Sequence, residues 1–128
     1  MNSVVLDASA LLAVLNCEPG ADKVTPELLS DAVCSTVNLA EVQSKLVARG
    51  LTPDEAWEAA VSPIREAMAF TEEHAKTAGS LITQSRALGL SLGDRACLAL
   101  GLALRAAVYT ADKSWKGLRL GIRIHIIR

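Results

Sequence analysis

Short apolar runs along the chain alternate with longer stretches in which hydrophobic residues recur at helical spacing. The run Val4-Val5-Leu6 stops at Asp7 and predicts a β-strand, and the apolar stretch after it predicts a helix over 8–15. Further strands are predicted at 32–35, 67–70, 107–110 and 122–126. Further helices are predicted at 21–30, 38–49, 52–63, 72–88 and 94–105. This alternation predicts a parallel sheet with helices on both faces, a three-layer α/β/α sandwich.

Two of these elements have patterns that indicate their position in the fold. The segment 94–105 is apolar almost all round, which is typical of a buried helix. The segment 122–126 alternates between apolar and polar residues with a period of two. This alternation favours a strand at the edge of the sheet with one face partly exposed.

Length and composition predict one self-sufficient domain spanning 1–128. Of the 128 residues, 51% are hydrophobic, which excludes global disorder and supplies a core without metal or disulfide. Three cysteines without a C-x-x-C pair predict reduced thiols, with Cys34 and Cys97 in the core and Cys17 in a loop. The chain starts without a basic segment, and its longest apolar stretch, 96–104, is too short to span a bilayer. We expect a cytoplasmic protein with no membrane partner.

The near-neutral net charge of −1 hides an asymmetry between the two halves of the chain. Residues 1–64 carry three basic and nine acidic side chains, whereas residues 65–128 carry ten basic and five acidic ones. The whole chain therefore lacks the strongly basic character of a dedicated nucleic-acid-binding protein. A polyanionic partner would need a local basic patch or a bound cation.

Four acidic residues lie where a parallel sheet places its ligand site. Asp7 follows the first strand, and Glu41 lies one turn into the helix after the second strand. Asp112 comes two residues after Thr110 at the end of a later strand, and Asp94 opens the buried apolar helix. Because ligands bind at the carboxyl ends of parallel strands, we expect these four acids to converge.

Each acid also has a local structural explanation. Asp7 and Asp112 are placed to cap the helical segments that follow them. The pairs Asn38-x-x-Glu41 and Ser91-x-x-Asp94 both match a reciprocal capping box. Capping accounts for each acid separately but does not predict their recurrence at strand ends.

Four neighbouring carboxylates predict a bound cation, because without one they would repel each other. Oxygen donors without a histidine or cysteine cluster select Mg²⁺ or Mn²⁺, ions that commonly serve phosphate chemistry. The chain has no phosphate-binding loop, dinucleotide fingerprint, nucleophile elbow or zinc-protease helix motif. His74 and His125 are interpreted as bystanders, which disfavours a histidine-based nuclease.

The ordered set of acidic motifs resembles the PIN-domain ribonucleases, in particular the VapC-type toxins of type II toxin–antitoxin systems. The motifs that carry the resemblance are VVLDAS at 4–9, NLAEV at 38–42, LGDRACLA at 92–99 and YTAD at 109–112. The resemblance implies a five-stranded parallel sheet and a Mg²⁺- or Mn²⁺-dependent endoribonuclease site. Its implied site residues are Asp7, Glu41, Asp94 and Asp112.

Within that implied site, the family pattern assigns different roles to the residues. Asp7 and Asp94 would bind the metal directly, while Glu41 and Asp112 would complete the acidic pocket or bind through water. Ser9 and Thr110 would donate or accept hydrogen bonds beside the acids, although ordinary turn or capping hydroxyls explain them equally well.

The resemblance also implies a homodimer and a small antitoxin that covers an apolar groove and blocks the acidic site. Five leucines in the first two helical stretches fit such a groove or, alternatively, a plain core: Leu11, Leu12, Leu15, Leu28 and Leu29. Lys113, Lys116 and Arg119 are candidate RNA contacts or solvated surface charges. Trp115 either stacks on a base or belongs to the core.

We expect a toxin that hydrolyses RNA phosphodiester bonds to 5′-phosphate and 3′-hydroxyl ends and that a cognate antitoxin inhibits. One alternative is a Mg²⁺-dependent phosphatase or phospho-acceptor domain with Asp7 as nucleophile, although Asp7-Ala8-Ser9 lacks a second aspartate two residues on. The other alternative is a non-catalytic binding module whose acids serve only as caps.

Overall fold

Five short strands form one parallel sheet in the computed structural model, which describes residues 2–128. The strands are β1 (Val4–Leu6), β2 (Ala32–Ser35), β3 (Glu66–Met68), β4 (Ala107–Thr110) and β5 (Ile124–Ile126). They lie in the order β3-β2-β1-β4-β5, and Val4 of the central strand is in register with both Ala32 and Ala107. The sheet therefore places the ends of β1 and β4 side by side.

Within residues 2–128, seven α-helices and three short 3₁₀ turns connect the strands. The helices are α1 (Ala8–Asn16), α2 (Pro26–Leu29), α3 (Thr36–Ala48), α4 (Pro53–Val61), α5 (Glu72–Ser80), α6 (Ile82–Ser85) and α7 (Leu92–Leu104). The 3₁₀ turns cover Ala21–Lys23, Arg86–Leu88 and Lys113–Gly117. No helix within residues 2–128 is long and apolar enough to cross a membrane.

Alternating residues of the central strands divide the core into two clusters, one on each face of the sheet. Val5 and Val33 pack with residues of α7 such as Leu98 on one face. Leu6 packs with α1 to α4, for example with Leu39, on the other face. Successive strand residues point to opposite faces, so both faces are buried under helices. The predicted three-layer α/β/α sandwich and parallel sheet are confirmed.

Two predicted helices are wrong in extent because local side-chain chemistry interrupts them. The stretch 21–30 contains only the first 3₁₀ turn and α2, which starts afresh at Pro26 with Thr25 as its cap. The stretch 72–88 divides into α5, α6 and a 3₁₀ turn. There the Ser80 and Ser85 hydroxyls donate to the carbonyls of residues 77 and 81, and such bonds compete with regular helix geometry.

The helix α3 starts at Thr36, two residues before the predicted start. The Ser35 hydroxyl accepts a hydrogen bond from the Val37 N–H and caps the helix. Asn38 and Glu41 therefore lie inside the first turns of α3, and the predicted capping box between them is wrong. By contrast, the capping box at Ser91 and Asp94 of α7 is confirmed.

The remaining differences are small. The third strand lies at 66–68 instead of 67–70, and the last strand, β5, occupies only 124–126 at the sheet edge. Cys34 and Cys97 are buried and Cys17 is exposed, as predicted.

The loop after α1 packs against the end of the described chain at a glycine. Gly20 has a φ of +94°, and a β-carbon there would overlap the backbone carbonyl of Ile127. The Ile127 N–H donates to the Thr110 carbonyl at 2.9 Å, so this backbone is itself held against β4. Only glycine satisfies both the conformation and the close approach.

We predict that Gly20→Ala destabilises the protein more than Gly50→Ala does. Gly50 also has a positive φ, +114°, but a β-carbon added there would meet nothing within 4 Å. Both variants place alanine in the left-handed region, where it is strained. Only Gly20→Ala also overlaps packed backbone, and this overlap lowers the free energy of unfolding by a further amount of about 1–3 kcal/mol. Urea unfolding of the two variants measures the difference. Equal losses of stability would contradict the close packing at Gly20.

Candidate active site

Asp7 occupies the turn between the end of β1 and the start of α1. Its Oδ1 accepts hydrogen bonds from the Ala10 N–H at 2.8 Å and the Ser9 hydroxyl at 2.7 Å. Its Oδ2 accepts one from the Thr110 hydroxyl at 2.6 Å. The side chain is only 3% exposed. Three donors thus hold a buried carboxyl group in one orientation at the end of the central strand.

The hydroxyls of Ser9 and Thr110 extend this network from β1 to the loop after β4. Ser9 accepts a hydrogen bond from the Ala111 N–H at 2.8 Å, and Thr110 accepts one from the Asp112 N–H at 3.0 Å. The two hydroxyl oxygens lie 3.3 Å apart. The geometry places both residues in direct contact with Asp7, while their part in a reaction stays a prediction.

Glu41 lies against the first turn of α7, where Asn38 holds it. The Asn38 amide donates to Glu41 Oε1 at 2.9 Å and to the Gly93 carbonyl at 3.0 Å. A β-carbon on Gly93 would come within 2.6–2.8 Å of the Glu41 carboxylate. The glycine therefore makes room for the carboxylate beside the helix that carries Asp94.

Asn38 is a residue whose function the sequence interpretation missed. It is 1% exposed, and its Oδ1 is buried with no hydrogen-bond partner among residues 2–128. The i, i+3 spacing of Asn38 and Glu41 was a usable signal, because residues at that spacing share a helix face. The same spacing also fits a capping box, and only the true start of α3 separates the two interpretations.

Asp94 and Asp112 complete the set of acids with more open positions. Asp94 is half-buried and accepts a hydrogen bond from the Ser91 N–H at 2.9 Å. Asp112 is exposed and accepts one from the Ser114 N–H at 2.9 Å, which caps the following 3₁₀ turn. Asp7, Asp94 and Asp112 thus all cap helical segments, as the capping alternative predicts, whereas Glu41 does not.

Burial and neighbouring charge shape the titration of this site. Burial raises the pKa of Asp7 to about 6, against hydrogen bonds from Thr110, Ala10 and Ser9 that lower it, and the charge of Asp94 raises it further. Burial also raises the pKa of the Cys97 thiol, and the charges of Asp7, Asp94 and Glu41 add to that shift. Three of the four acids therefore interact electrostatically with the buried Cys97 thiol.

Proximity does not amount to a preformed metal cage. Within residues 2–128, no three His, Cys, Asp or Glu side chains are grouped closely enough to hold a metal ion. Asp7 and Asp94 interact electrostatically, Glu41 packs on the turn before Asp94, and a hydroxyl links Asp7 to the backbone of Asp112. The acids share one end of the sheet but do not point at a single centre.

The other candidate residues lie outside this group. Trp115 is 1% exposed in the core cluster with α7, so base stacking by this side chain is excluded. Lys113, Lys116 and Arg119 line a groove of about 770 Å³ beside β5, whose lining contains none of the four acids. His74 contacts Phe70, and the His125 ring stacks on Tyr109.

The leucines of the first two helical stretches are divided between the core and the surface. Leu11 and Leu12 are buried, as a plain core requires. Leu15, Leu28 and Leu29 are half-buried and pack against the same cluster.

Comparison with known proteins places this geometry in a family. The family model for the PIN domain matches residues 4–119. A search of curated protein sequences finds no match.

Several solved structures share the fold over nearly the whole chain. A DNA-bound VapBC from Salmonella typhimurium has 16% identity and a TM-score of 0.75, with 100% of both chains covered. A toxin–antitoxin complex from Klebsiella pneumoniae has 17% identity and a TM-score of 0.74, covering 94% of this chain and 95% of that one. VapC20 of Mycobacterium tuberculosis, described as a toxin that cleaves the sarcin–ricin loop, has 17% identity and a TM-score of 0.72, covering 94% and 99%. At such identities the likeness establishes the fold.

We predict that Asp7→Asn stabilises the metal-free protein increasingly as the pH rises. The folded-state pKa of about 6 exceeds the ordinary value of 3.8, so the stability that the protonated group supplies is lost as the pH rises through 6. The neutral asparagine avoids this loss, which amounts to at most about 3 kcal/mol at pH 8.

Thermal and urea unfolding in EDTA at pH 4.5, 6 and 8 test this expectation. The variant Asp54→Asn, which neutralises an exposed first-turn acid of α4, controls for the change in net charge. A stability difference between wild type and Asp7→Asn that is the same at every pH would refute the effect of burial on this carboxyl group.

Proposed function

The chain belongs to the PIN-domain family, and we propose that it is a divalent-metal-dependent endoribonuclease that acts as the toxin of a toxin–antitoxin pair. The observation that carries the proposal is the hydrogen-bonded acidic group at the ends of β1 and β4. In it, the buried Asp7 interacts with Asp94, and Glu41 packs beside the same helix turn. The similar VapC structures support the ribonuclease assignment, since one of them, VapC20, is described as a toxin that cleaves the sarcin–ricin loop.

The donor set suits a hard divalent cation, the type of ion on which PIN-domain nucleases generally depend. Mg²⁺ binds through one or two carboxylates and keeps several waters, so it needs no preformed cage. Asp7 and Asp94 would hold Mg²⁺ or Mn²⁺ directly, with Glu41 and Asp112 completing the acidic pocket. A positive charge there would favour the ionised form of the buried Asp7. When bound, the ion supplies Lewis-acid chemistry that neutralises phosphate charge and acidifies water.

The protein's own residues divide the remaining work between positioning and proton transfer. Ser9 and Thr110 keep the Asp7 carboxylate from rotating, because each hydroxyl is anchored to the backbone of the loop after β4. Glu41 is the acid that caps no helix, and Asn38 is the single donor to its carboxylate among residues 2–128. The Glu41 carboxylate therefore keeps lone pairs that accept no hydrogen bond from the described residues. These lone pairs suit Glu41 to orient the attacking water and to accept a proton from that water.

The chemistry of this hydrolysis determines the ends of the products. Water adds to phosphorus, the bond from phosphorus to the 3′ oxygen breaks, and the departing oxygen takes up a proton. The fragments therefore carry 5′-phosphate and 3′-hydroxyl ends. The 2′-hydroxyl takes no part.

The proposed partners follow from the relatives. Two of the similar structures, the toxin–antitoxin complex from Klebsiella pneumoniae and the VapBC from Salmonella typhimurium, support a cognate antitoxin for this chain. The half-buried Leu15, Leu28 and Leu29 on α1 and α2 are the surface that we assign to it. A homodimer and a cytoplasmic location belong to the same proposal. Leu92, 56% exposed at the start of α7, is an apolar contact available to a second copy.

A non-catalytic binding module is the second candidate function, because three of the four acids cap helical segments. The phosphatase alternative has less support. Asp7 is only 3% exposed, which restricts the approach of a phosphorus atom to its oxygens, and no second aspartate follows it two residues on.

We predict that Asp94→Asn lowers RNA cleavage at least about 100-fold while leaving the fold intact. Asparagine is also a good hydrogen-bonding residue at a helix start, so the cap of α7 is retained while a charge of the site is lost. Protein freed of any bound peptide is assayed on total tRNA and rRNA with Mg²⁺, Mn²⁺ or EDTA, and the cut ends are sequenced.

The control for this assay is Asp54→Asn, which changes the same charge in the first turn of α4. Cuts that persist in EDTA or leave a 2′,3′-cyclic phosphate would count against the proposed chemistry. Absence of cleavage with Mn²⁺ bound through Asp94 would favour the phosphatase. Absence of both cleavage and metal binding would favour the binding module.

We also predict that Gly93→Ala lowers the cleavage rate about tenfold or more with little loss of stability. The new methyl group would displace the Glu41 carboxylate, which is the flexible end of a side chain and moves more easily than backbone. Gly79→Ala in α5 is the matched control, because nothing lies within 4 Å of the added carbon. Single-turnover rates and melting temperatures of both variants are compared. A Gly93→Ala enzyme with the wild-type rate would remove Glu41 from the proposed mechanism.

A further inference from the structure

A small basic cavity adjoins the acidic site on the side of α3. It has a volume of about 320 Å³. Its lining includes Ser9 and Asp112 together with three cationic side chains, two from the end of α3 and one from the end of the described chain: Lys45, Arg49 and Arg128. The cavity therefore connects the network around Asp7 to a cluster of positive charge.

Two of these three cationic residues come from residues 1–64, the half of the chain that has few basic residues. Residues 1–64 contain three basic residues, and Lys45 and Arg49 are two of them. They stand one turn apart at the end of α3, and both are exposed. Within residues 2–128 neither forms an ion pair. Their charge is thus available to an anion from solution.

The third cation is held in place by the loop after α1. The Arg128 guanidinium forms an ion pair with Glu18 at 2.9 Å and donates from Nε to the Pro19 carbonyl at 3.1 Å. The neighbouring Ile127 backbone packs on Gly20. Arg128 and Arg49 also both lower the pKa of Glu18, together with a hydrogen bond from Asn16. Arg128 therefore has a defined position beside Asp112.

We propose that this cavity binds a backbone phosphate of the RNA strand next to the bond that is cut. Lys45, Arg49 and Arg128 contribute three positive charges, and Glu18 and Asp112 contribute two negative ones, so the lining has a net charge of +1. One phosphodiester carries the complementary charge. The proposal rests on the ribonuclease function above and names the residues that position its substrate.

This assignment differs from the sequence prediction that Lys113 and Lys116 contact RNA. Those lysines line the groove beside β5 together with apolar side chains such as Ile124 and Ile126. The small basic cavity, in contrast, has Ser9 and Asp112 in its lining. Because a strand must pass the acids to be cut, a cavity lined by Asp112 and by Ser9, which hydrogen-bonds Asp7, is the better place for a flanking phosphate.

The test compares three double variants that each remove two positive charges. The first is Lys45→Ala with Arg49→Ala, and the second is Lys113→Ala with Lys116→Ala. The third, Lys76→Ala with Arg86→Ala, is the control. It removes one lysine and one arginine from exposed positions on α5 and the 3₁₀ turn 86–88. Binding of a fluorescein-labelled, mixed-sequence single-stranded RNA is measured by anisotropy in EDTA over a range of KCl concentrations.

We expect the Lys45/Arg49 pair of substitutions to weaken RNA binding about tenfold and the control pair to have a much smaller effect. The slope of log Kd against log salt concentration should fall by about 0.7, the value for one phosphate contact to a single strand. In cleavage assays KM should rise while the rate at saturating RNA changes less than about threefold, since the cavity positions substrate and does not react.

The opposite results would overturn the proposal. Affinity and salt slope equal to those of the control variant would exclude the cavity as a phosphate site. A larger loss for the Lys113/Lys116 pair would move the contact to the groove beside β5.

The binding assay also separates this proposal from the ribonuclease function. An enzyme that cuts RNA while the Lys45/Arg49 variant keeps its KM would refute the cavity alone. A protein that cuts no RNA, yet loses RNA binding in that variant, would refute the ribonuclease function and retain the cavity as a phosphate site.

Discussion

The buried carboxyl group of Asp7 is the constraint on which the rest of the site depends. An acid that is 3% exposed at the end of the central strand must be hydrogen-bonded or neutralised. The fold supplies three donors, from the start of α1 and from the end of β4. These bonds tie two adjacent strand ends together, while burial raises the pKa of the carboxyl group to about 6. A cation bound beside it would counteract this effect and favour the ionised form. The burial of Asp7 therefore accounts both for the hydrogen bonds between the strand ends and for the proposed affinity of the site for a cation.

The contact between α3 and α7 is the second requirement. Gly93 leaves space for the Glu41 carboxylate, and Asn38 bonds both the carboxylate and the glycine carbonyl. This contact puts Glu41 beside the helix turn that carries Asp94. Capping and site formation are compatible here, because a helix start that attracts a carboxylate also gathers acids at one end of the sheet. Capping alone leaves Glu41 without a role.

The distribution of charge around the acids decides what the site can attract. Without a cation, the four carboxylates repel a polyanion such as RNA. Basic residues from both halves of the chain line one cavity with Asp112, and Arg128 reaches it because the end of the described chain packs on the loop after α1. An acidic centre next to a basic cavity combines metal affinity with a place for a phosphate.

By itself the sequence determined the alternation of strands and helices, the sandwich that follows from it, and the position of the acids at strand ends. These features depend on local periodicity and on near neighbours, as does the cap at Ser91. The tertiary structure alone decided the burial of Asp7, the contact of Asn38 with Gly93 and the grouping of Arg128 with α3. Thr110 reaches Asp7 across 103 residues and Asn38 reaches Gly93 across 55, and contacts at such separations arise from packing. No local pattern encodes them, because they exist only once the helices have packed on the sheet.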